Sequence, residues 1–382
     1  MAETHGTTMS ETSGKSRAAV KRVVFVQKFV PHYRLPLFEK LRSGFAEQGI
    51  EFVLVYGQPD AYEGSKIRME YPDWGMRVNS RIIPLPGKFT RYLYWQGVPL
   101  KVRRGDVVIV EHASKLLDNY PLFALQQLGW ISLCYFGHGR NFQSQREIAP
   151  ARALKRLMVR RIARWFAYTE ISRKALLEQD VPDDRIVVVN NTLTVTRALE
   201  ESDVERHPER LVYIGGLYKE KRLDLVFEAM DRLRSDHPRL ELHVAGTGPD
   251  QSAVEAFAAR HDWCTYVGPV FGKDRDRFLF EASAIVMPGP VGLVAIDSFH
   301  YATPILTARL DNHGPEVAYL ENDVNALIMD DRGGADSYTA LVRRFLESRE
   351  LSERLRQGCR EAAGRFTIED TARKFVDGVL SL

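Results

Sequence analysis

The fold is decided by one stretch, Met287-Pro-Gly-Pro-Val-Gly-Leu-Val-Ala-Ile-Asp-Ser-Phe-His-Tyr-Ala-Thr-Pro-Ile-Leu306. It predicts a buried strand that ends near Met287, a glycine turn, a short helix that begins at Gly292–Leu293, and another apolar strand after Pro304. A glycine turn that leads into a helix exposes several backbone N–H groups at the positive end of the helix dipole, which favours a phosphate or diphosphate. An ordinary strand–helix connection has the same pattern, so the rest of the chain decides between the two interpretations.

The composition indicates a folded, soluble protein of two domains. The 382 residues exceed one ordinary core, and 45% hydrophobic and 27% charged residues are close to globular averages. No apolar run reaches the roughly 18 residues that span a bilayer. Residues 1–21 are rich in Ser, Thr and Gly, so we expect a disordered tail and not a signal peptide. Cys134, Cys264 and Cys359 predict reduced thiols and a cytoplasmic location, and the net charge of +3 does not indicate nucleic acid binding.

Twelve short apolar runs recur along the chain, and most are followed by a helical or polar segment. Their Val, Ile, Phe and Tyr residues do not alternate strictly with polar ones, which is typical of parallel strands buried on both faces. Alternation of such strands with helices indicates βαβ units. The predicted strands are Val23–Phe29, Phe52–Tyr56, Val107–Val110, Ile131–Phe136, Trp165–Tyr168, Ile186–Val189, Leu211–Ile214, Leu240–Val244, Cys264–Val267, Ala284–Met287, Pro304–Ala308 and Asn325–Met329.

These units predict an α/β fold of two Rossmann-like, doubly wound parallel-sheet domains, with six strands each, that face a cleft. The polar span Thr194–Arg210, with five carboxylates, marks the join. We therefore place the first domain at 22–192, a linker at 193–209 and the second domain at 210–365. The amphipathic helix at 366–382 has no strand after it, and we expect it to pack back toward the first domain.

Two common nucleotide-binding motifs are missing. No Gly-x-Gly-x-x-Gly follows the first predicted strand, where Val30-Pro-His-Tyr-Arg34 stands instead, and this disfavours a dinucleotide-dependent dehydrogenase. A Gly-x-x-x-x-Gly-Lys-Ser/Thr loop is also missing, which disfavours a nucleoside triphosphatase. Gly246-Thr-Gly-Pro249 is a further glycine turn after a strand, and a structural role accounts for it equally well.

Three cations, Lys219, Lys221 and Arg222, follow the pair Gly215–Gly216 at the end of a predicted strand. Glycines allow a ligand to approach the backbone, and the cations suit a diphosphate. A surface cluster at the start of a helix is the alternative. Because cations at a helix N-terminus oppose the dipole, we favour a functional reason.

Two histidines also follow predicted strands. His138 lies between two glycines, where a ligand can approach it closely, so a functional and a structural role are about equally supported. His112 is at a comparable strand end and is the weaker candidate.

Taken together, these landmarks resemble the retaining GT-B glycosyltransferases of family 4 (glycosyl transferases group 1) over nearly the whole chain. The Gly-His-Gly at 137–139 is similar to the family's His-Gly, and Gly215-Gly-Leu-x-x-x-Lys221 resembles its Gly-Arg-Leu with a lysine five positions beyond the arginine. Gly292-Leu-x-x-x-Asp297 with Ala302-Thr-Pro304 is similar to Gly-Leu-x-x-x-Glu followed by Gly-Thr-Pro. His313-Gly-Pro-Glu316, followed by Asn325, resembles the family's Gly-x-x-Glu and later Asn-Gly.

The resemblance implies a nucleotide-sugar donor bound by the second domain and a saccharide or lipid-linked acceptor bound by the first. It requires no metal and no cofactor beyond the donor itself. The implied catalytic residues are His138, Lys221 and Asp297. The implied diphosphate contacts are Gly215, Gly216, Lys221, Arg222, Gly292, Leu293 and Val294. The ribose or sugar contacts are Asp297, Gly289 and Glu316, and the acceptor-side residues are Tyr33, Arg34, His112 and Arg140.

The chain departs from the family pattern at several of these positions. The first of the family's two glutamates falls on Gly289 and the second on Asp297. The arginine beside the diphosphate falls on Gly216, and Lys219 or Arg34 are candidates to replace it. Two other classes therefore stay open: a non-catalytic GT-B protein that binds a nucleotide sugar, or a silent subunit, and a nucleotide-sugar epimerase.

A membrane surface is a further partner to consider. Pro86–Trp95 and Lys101–Arg104 mix aromatic residues with cations, and Arg152–Arg164 adds six cations among apolar residues. Basic amphipathic surfaces of this kind suit an anionic bilayer, whereas a solvated helix packed on the sheet is the alternative. Because lipid-linked acceptors are frequent in this family, the hypothesis is a peripheral enzyme that builds a surface glycan or glycolipid.

Overall fold

The computed structural model describes residues 20–60, 69–85, 91–139, 149–330 and 334–382. Nearly all of the tail expected at 1–21, and the acceptor-side candidate Arg140, lie outside the described residues.

The described chain forms two parallel sheets and one antiparallel hairpin. All twelve predicted strands are present, and most of their apolar side chains are buried because helices cover both faces of each sheet. The strands are β1 (Arg22–Gln27), β2 (Glu51–Tyr56), β3 (Met76–Arg77), β4 (Arg81–Leu85), β5 (Arg91–Trp95), β6 (Val107–Glu111), β7 (Ser132–Gly137), β8 (Arg164–Ala167), β9 (Ile186–Val188), β10 (Arg210–Ile214), β11 (Glu241–Ala245), β12 (Cys264–Gly268), β13 (Ala284–Val286), β14 (Ile305–Ala308) and β15 (Ala326–Met329).

The strand orders confirm the predicted fold of two doubly wound sheets. The first sheet has the order β3-β2-β1-β6-β7-β8-β9, and the second has β12-β11-β10-β13-β14-β15. The count of six strands in the first half was wrong, because β3 adds a seventh and the β4–β5 hairpin lies outside the sheet. The order of the strands reverses between β1 and β6 in the first sheet and between β10 and β13 in the second. Ligands of such sheets bind beyond the carboxyl ends of the strands at these switch points.

Eleven described helices connect the strands and flank the sheets. Side-chain oxygens of Thr169, Ser348 and Thr367 cap three of them by accepting a bond from a backbone N–H in the first turn. The helices are α1 (Leu35–Glu47), α2 (Asn119–Gln127), α3 (Ala149–Arg161), α4 (Glu170–Leu177), α5 (Leu223–Leu233), α6 (Gln251–Ala258), α7 (Gly272–Phe280), α8 (Val294–His300), α9 (Ala335–Leu346), α10 (Arg349–Ala363) and α11 (Ile368–Leu380).

The last helix, α11, packs against α1 and the first sheet. Phe375 on α11 is fully buried and contacts Phe25, Phe136 and Phe166 of the sheet, with ring centroids 4.6–5.7 Å apart. The chain therefore returns to the first unit after completing the second. None of the described helices is both long and apolar enough to cross a membrane.

Candidate active site

The two loops at the switch point of the second sheet contact each other directly. One loop follows β10 and contains a 3-10 turn at Lys219–Lys221, and the other follows β13. The Lys221 ammonium donates a hydrogen bond to the Pro290 carbonyl over 2.5 Å. Lys221 is 8% exposed, and burial lowers its pKa to about 8. The ammonium is thus held at the point where the strand order reverses.

Gly289 is fixed by the backbone of the neighbouring turn. A Cβ at this position would overlap the Cα of Lys221 and lie 2.5 Å from the Glu220 carbonyl oxygen. Atoms do not approach this closely, so any side chain at Gly289 would push the turn away. The close packing of the two loops therefore leaves no room for a glutamate at this position.

The turn that precedes α8 presents unpaired backbone donors. The helix begins at Val294, one or two residues later than predicted. Within the described part of the chain, the N–H groups of Gly292, Leu293 and Val294 have no hydrogen-bond acceptor. A Cβ at Gly292 would meet no atom within 4 Å, so the turn borders open space here. These donors can bind an anion.

His313 holds this turn in place. Its Nδ1 accepts a hydrogen bond from the Val291 N–H over 3.0 Å, so the bond to the Ala308 carbonyl over 2.6 Å requires the proton on Nε2. Burial lowers the pKa of His313, with a smaller contribution from the charge of Lys221. The neutral ring thus stabilises the loop next to Lys221.

An aromatic ring covers the position of the expected arginine. A Cβ at Gly216 would lie 2.7 Å from Cε1 of Tyr218, whose ring therefore stands over this glycine. The Lys221 ammonium is 5.5 Å from the centroid of the same ring. Lys219 is exposed, while Arg222 has a left-handed backbone with φ of 56° and its guanidinium is 3.5 Å from Asp224.

The glycines of the neighbouring loop have a structural role. A Cβ at Gly246 would overlap the carbonyl oxygen of Gly215, and one at Gly248 would overlap that of Leu217. The Leu217 N–H donates to Thr247 over 2.9 Å. Gly246–Pro249 therefore packs the loops after β10 and β11 together, and its glycines make this contact possible.

Asp297 lies in α8 and forms an ion pair with Arg275 of α7. Both side chains are largely buried; burial raises the pKa of the Asp297 carboxyl, and Arg275 opposes this effect. The Arg275 guanidinium also lies 5.5 Å from the Tyr301 ring. One oxygen of Asp297 is thus occupied by a cation that sequence reasoning missed, because the two residues approach each other only through the packing of two helices.

Glu316 joins the second unit to the first. Its Oε1 accepts a hydrogen bond from Asn191, in the loop after β9, over 2.5 Å. The Tyr319 hydroxyl donates to the Asn191 carbonyl over 3.0 Å. Burial raises the pKa of Glu316, and the bond from Asn191 opposes this effect. The carboxyl ends of the two sheets therefore meet here, and we call the space between them the cleft.

The same asparagine contacts the first-sheet cluster. Arg34 donates through Nη2 to the Tyr168 hydroxyl over 3.0 Å and to Asn191 Oδ1 over 3.4 Å. His138 contacts the edge of the Tyr168 ring, with centroids 4.5 Å apart. Solvent reaches the His138 ring, yet the surrounding side chains exclude enough water to lower its pKa, so it is neutral at pH 7. Arg34 and His138 thus lie together and are linked to Glu316.

The other acceptor-side candidates lie apart from this cluster. His112 packs on the opposite face of the first sheet, 5.0 Å from the Tyr135 ring and 4.9 Å from that of Trp165. It borders a small surface pocket of about 20 Å³, which Tyr120 and Met158 also line. Tyr33 is half-buried and contacts the ring of His32. The structure therefore separates His112 from His138.

Three polar residues of the cleft were missed from the sequence: Glu111, Tyr168 and Asn191. Each ends or follows an apolar strand, and this position is the signal that identifies cleft residues in a doubly wound sheet. Glu111 is also the single charged residue of its strand.

The sequence of the second unit is similar to known sugar transferases. Residues 196–362 match the family glycosyl transferases group 1. The chain is 29% identical over 160 residues to a glycogen synthase from Mycobacterium tuberculosis, which is 40% of this chain and 38% of that protein. It is 30% identical over 182 residues to a D-inositol 3-phosphate glycosyltransferase from Geodermatophilus obscurus, 44% and 39% of the two chains. The chain thus matches about two fifths of the length of these relatives.

The fold of the whole chain is similar to that of solved glycosyltransferase structures. HepE from Anabaena in complex with UDP has a TM-score of 0.67 at 12% identity and covers 95% of this chain and 100% of its own. TarM from S. aureus in complex with UDP has a TM-score of 0.63 at 10% identity over 94% and 99% of the chains. The pneumococcal O-GlcNAc transferase GtfA, in complex with UDP and GlcNAc, also has a TM-score of 0.63, at 12% identity over 94% and 98%.

Proposed function

We propose that this chain, whose residues 196–362 match the family glycosyl transferases group 1, transfers a sugar from a nucleotide-sugar donor to a saccharide or lipid-linked acceptor. UDP-sugars are the first donors to test, because UDP is bound in solved structures of the same fold.

The observation that carries this proposal is the grouping of positive charge at the switch point of the second sheet. The Lys221 ammonium lies at the Pro290 carbonyl, and three N–H groups that bond to no described residue follow at 292–294. The helix has only seven residues, so the N–H groups themselves contribute more than its dipole. A cation and several convergent donors suit a diphosphate, whose charge grows as the sugar departs.

The reaction proceeds with retention and needs neither a metal nor an organic cofactor. The acceptor oxygen forms a bond to the anomeric carbon on the face from which the diphosphate departs, and the bond between that carbon and the diphosphate oxygen breaks. The acceptor proton passes to the departing diphosphate, so no protein nucleophile is required. Lys221 and the N–H groups stabilise the leaving group, and neutral His138 contacts the sugar without repelling its developing positive charge.

The donor sugar is recognised differently from the pattern that the family implies. The position of the first family glutamate is closed by the backbone of Lys221, and Asp297 shares its charge with Arg275. Asp297 holds the ribose through its remaining oxygen, while Glu316 lies at the entrance to the first unit. Tyr218 covers the position of the family's arginine and takes part in donor binding.

The acceptor is delivered at the inner face of a membrane. On α3, Leu154 and Leu157 are exposed next to Arg156 and Arg160. Trp130 is also exposed, and together these residues combine apolar and basic character. Flotation with anionic liposomes tests this location: we expect binding that weakens with salt, and absence of binding would remove the membrane from the proposal.

Incubation with a panel of nucleotide sugars tests the activity. Slow hydrolysis or transfer, with nuclear magnetic resonance showing the donor's anomeric configuration in the product, supports a retaining transferase. Binding without turnover indicates a sensor or silent subunit instead, and an altered sugar that stays on the nucleotide indicates an epimerase. Thermal-shift measurements with UDP, GDP and dTDP identify the base, because a ligand that binds the folded state raises its stability.

A further inference from the structure

We infer that Glu111 holds a hydroxyl group of the acceptor on the first-sheet side of the cleft, and that the acceptor is uncharged where it meets this residue. The inference rests on the proposed transferase function and extends it to the class of acceptor.

Glu111 ends β6 at the switch point of the first sheet. β1 and β6 are neighbours there, and the loop after β1 carries Arg34. Arg34 therefore has the position in the first sheet that Lys221 has in the second, since each follows the corresponding strand, β1 or β10. Each sheet therefore presents charged groups at its own switch point, and one substrate can bind at each.

The alternation of side chains along β6 sets the direction of Glu111. Val107 and Ile109 face the core that contains Phe136 and Tyr168. Glu111 continues this series two residues further and pairs in register with Phe136 on the adjacent strand. His112 faces the other side of the sheet, which explains why it lies apart from the cleft.

Glu111 shares this face with the first-sheet cluster. The Arg34 guanidinium is 5.2 Å from the Phe136 ring centroid and 5.6 Å from that of Tyr168, and His138 contacts the other side of Tyr168. The charge of Glu111 contributes to the raised pKa of Arg34 and opposes the lowering of the pKa of His138, which agrees with this proximity.

The carboxylate of Glu111 is half-buried, and among the described residues it forms no hydrogen bond or ion pair. Arg34 is bonded to Tyr168 and Asn191 through Nη2, and its Nη1 is buried without a hydrogen-bond partner among the described residues. The carboxylate of Glu316 is already bonded to Asn191. Among the described residues of this cluster, Glu111 is therefore the carboxylate that has both oxygens unbonded.

A partly buried carboxylate without a hydrogen-bond partner favours a neutral hydrogen-bond donor. A hydroxyl group that donates to it forms a charge-assisted hydrogen bond, which is shorter and stronger than a bond between neutral groups. A phosphate or carboxylate brought to the same position would be repelled. Glu111 takes no proton in the transfer, because the acceptor proton passes to the departing diphosphate. Its role is to orient the acceptor.

The test compares Glu111→Gln with the wild type and with Glu47→Gln, a control on an exposed carboxylate of α1. Each full-length protein is given the donor that the wild type uses, with neutral p-nitrophenyl hexosides or p-nitrophenyl glucuronide as acceptors. We expect Glu111→Gln to lower kcat/KM for neutral acceptors about tenfold, mainly through the acceptor KM. The donor KM, the thermal shift with UDP and the unfolding temperature stay close to the wild type.

Two further readouts separate orientation from a general structural effect. The preference of the wild type for hexosides over the glucuronide narrows in Glu111→Gln, because the repulsion is removed. Hydrolysis of the donor, in which water takes the place of the acceptor, falls by a similar factor, and this gives a result even if the panel contains no acceptor.

An active wild type with unchanged acceptor kinetics and hydrolysis in Glu111→Gln would overturn the inference alone. A parallel loss of UDP binding, or a wild type that prefers the glucuronide, would also overturn it. A wild type that neither hydrolyses nor transfers any nucleotide sugar would instead overturn the proposed function, and this inference with it.

Discussion

The ammonium of Lys221 donates a hydrogen bond to the carbonyl of Pro290, and this bond joins the loop after β10 to the loop after β13. Among the described residues, this neutral carbonyl is the single hydrogen-bond partner of the buried cation. A diphosphate that arrives at this switch point meets a charge that is already in place. The lysine side chain loses its conformational entropy during folding and not on binding, and this favours donor binding.

Replacing Lys221 by alanine removes this charge. We expect transfer or donor hydrolysis to fall tenfold or more, because a charge-assisted contact contributes about 1.5–3 kcal/mol. Steady-state kinetics with the active nucleotide sugar measure the effect. The matched control is Lys273→Ala, on the exposed surface of α7, which should keep full activity. Equal turnover in Lys221→Ala and the control would remove Lys221 from the mechanism.

The pH dependence should follow the same lysine. Because burial lowers its pKa to about 8, the charged form is lost above that pH, and we expect kcat/KM for the donor to fall there. A bound diphosphate favours the charged form, so kcat should fall only at higher pH. Lys221→Arg keeps its charge, and its kcat/KM should stay level in the same range. A wild-type profile that is flat between pH 7 and about 9 would contradict this prediction.

Two glycines of the same loop should respond oppositely to alanine. Gly289→Ala forces the added methyl group into the backbone of Lys221, and we expect it to destabilise the protein by about 1–3 kcal/mol and to lower activity. Gly292→Ala places its methyl group in open space and should leave the unfolding temperature unchanged. Thermal unfolding of the two variants makes the comparison. Similar unfolding temperatures of the two variants would contradict this prediction, because they would show that the backbone turn at Lys221 shifts at little cost in free energy.

Glu316→Gln should stabilise the protein at neutral pH. Burial raises the pKa of Glu316 in the folded state, so its contribution to stability is greatest below its ordinary pKa and is lost as the pH rises through the raised value. Glutamine keeps an oxygen for the bond from Asn191 and removes the buried charge. We expect a gain on the order of 1 kcal/mol near pH 7 that disappears near pH 4.

Denaturant unfolding at both pH values measures this difference. If Glu316 contacts the donor, the more stable variant should also bind it less tightly. If Glu316→Gln is less stable than the wild type at neutral pH, the charge of Glu316 stabilises the folded protein and the prediction is wrong.

The strands and the fold class could be predicted because strands buried on both faces require continuous apolar runs, and such runs are visible in the sequence alone. β3 has two exposed residues and no such run, so nothing in Met76–Arg77 distinguishes it from a loop. The hairpin strand β5 falls in the stretch Pro86–Trp95, whose aromatic and basic residues suggested a surface instead, and its partner β4 directly precedes that stretch.

The candidate site was predicted best where one loop supplies all its parts, as at Gly292–Val294. It was predicted least well where partners are distant along the chain. The contact of Gly289 with Lys221 spans 68 residues, and a glycine in the sequence shows a missing side chain but not what occupies its place. Arg275 could not be assigned for the same reason. Glu111 did carry a local signal, since it ends an otherwise apolar strand.

The return of α11 to the first unit means that the chain passes between the two units twice. The Thr192 hydroxyl donates to the Phe366 carbonyl over 2.7 Å, which ties one crossing to the other, and the Thr371 hydroxyl donates to the Asn190 carbonyl over 3.0 Å. The two crossings are thus bonded to each other beside Asn191, which itself bonds to Glu316 of the second unit. The connections between the units are therefore concentrated at one edge of the cleft.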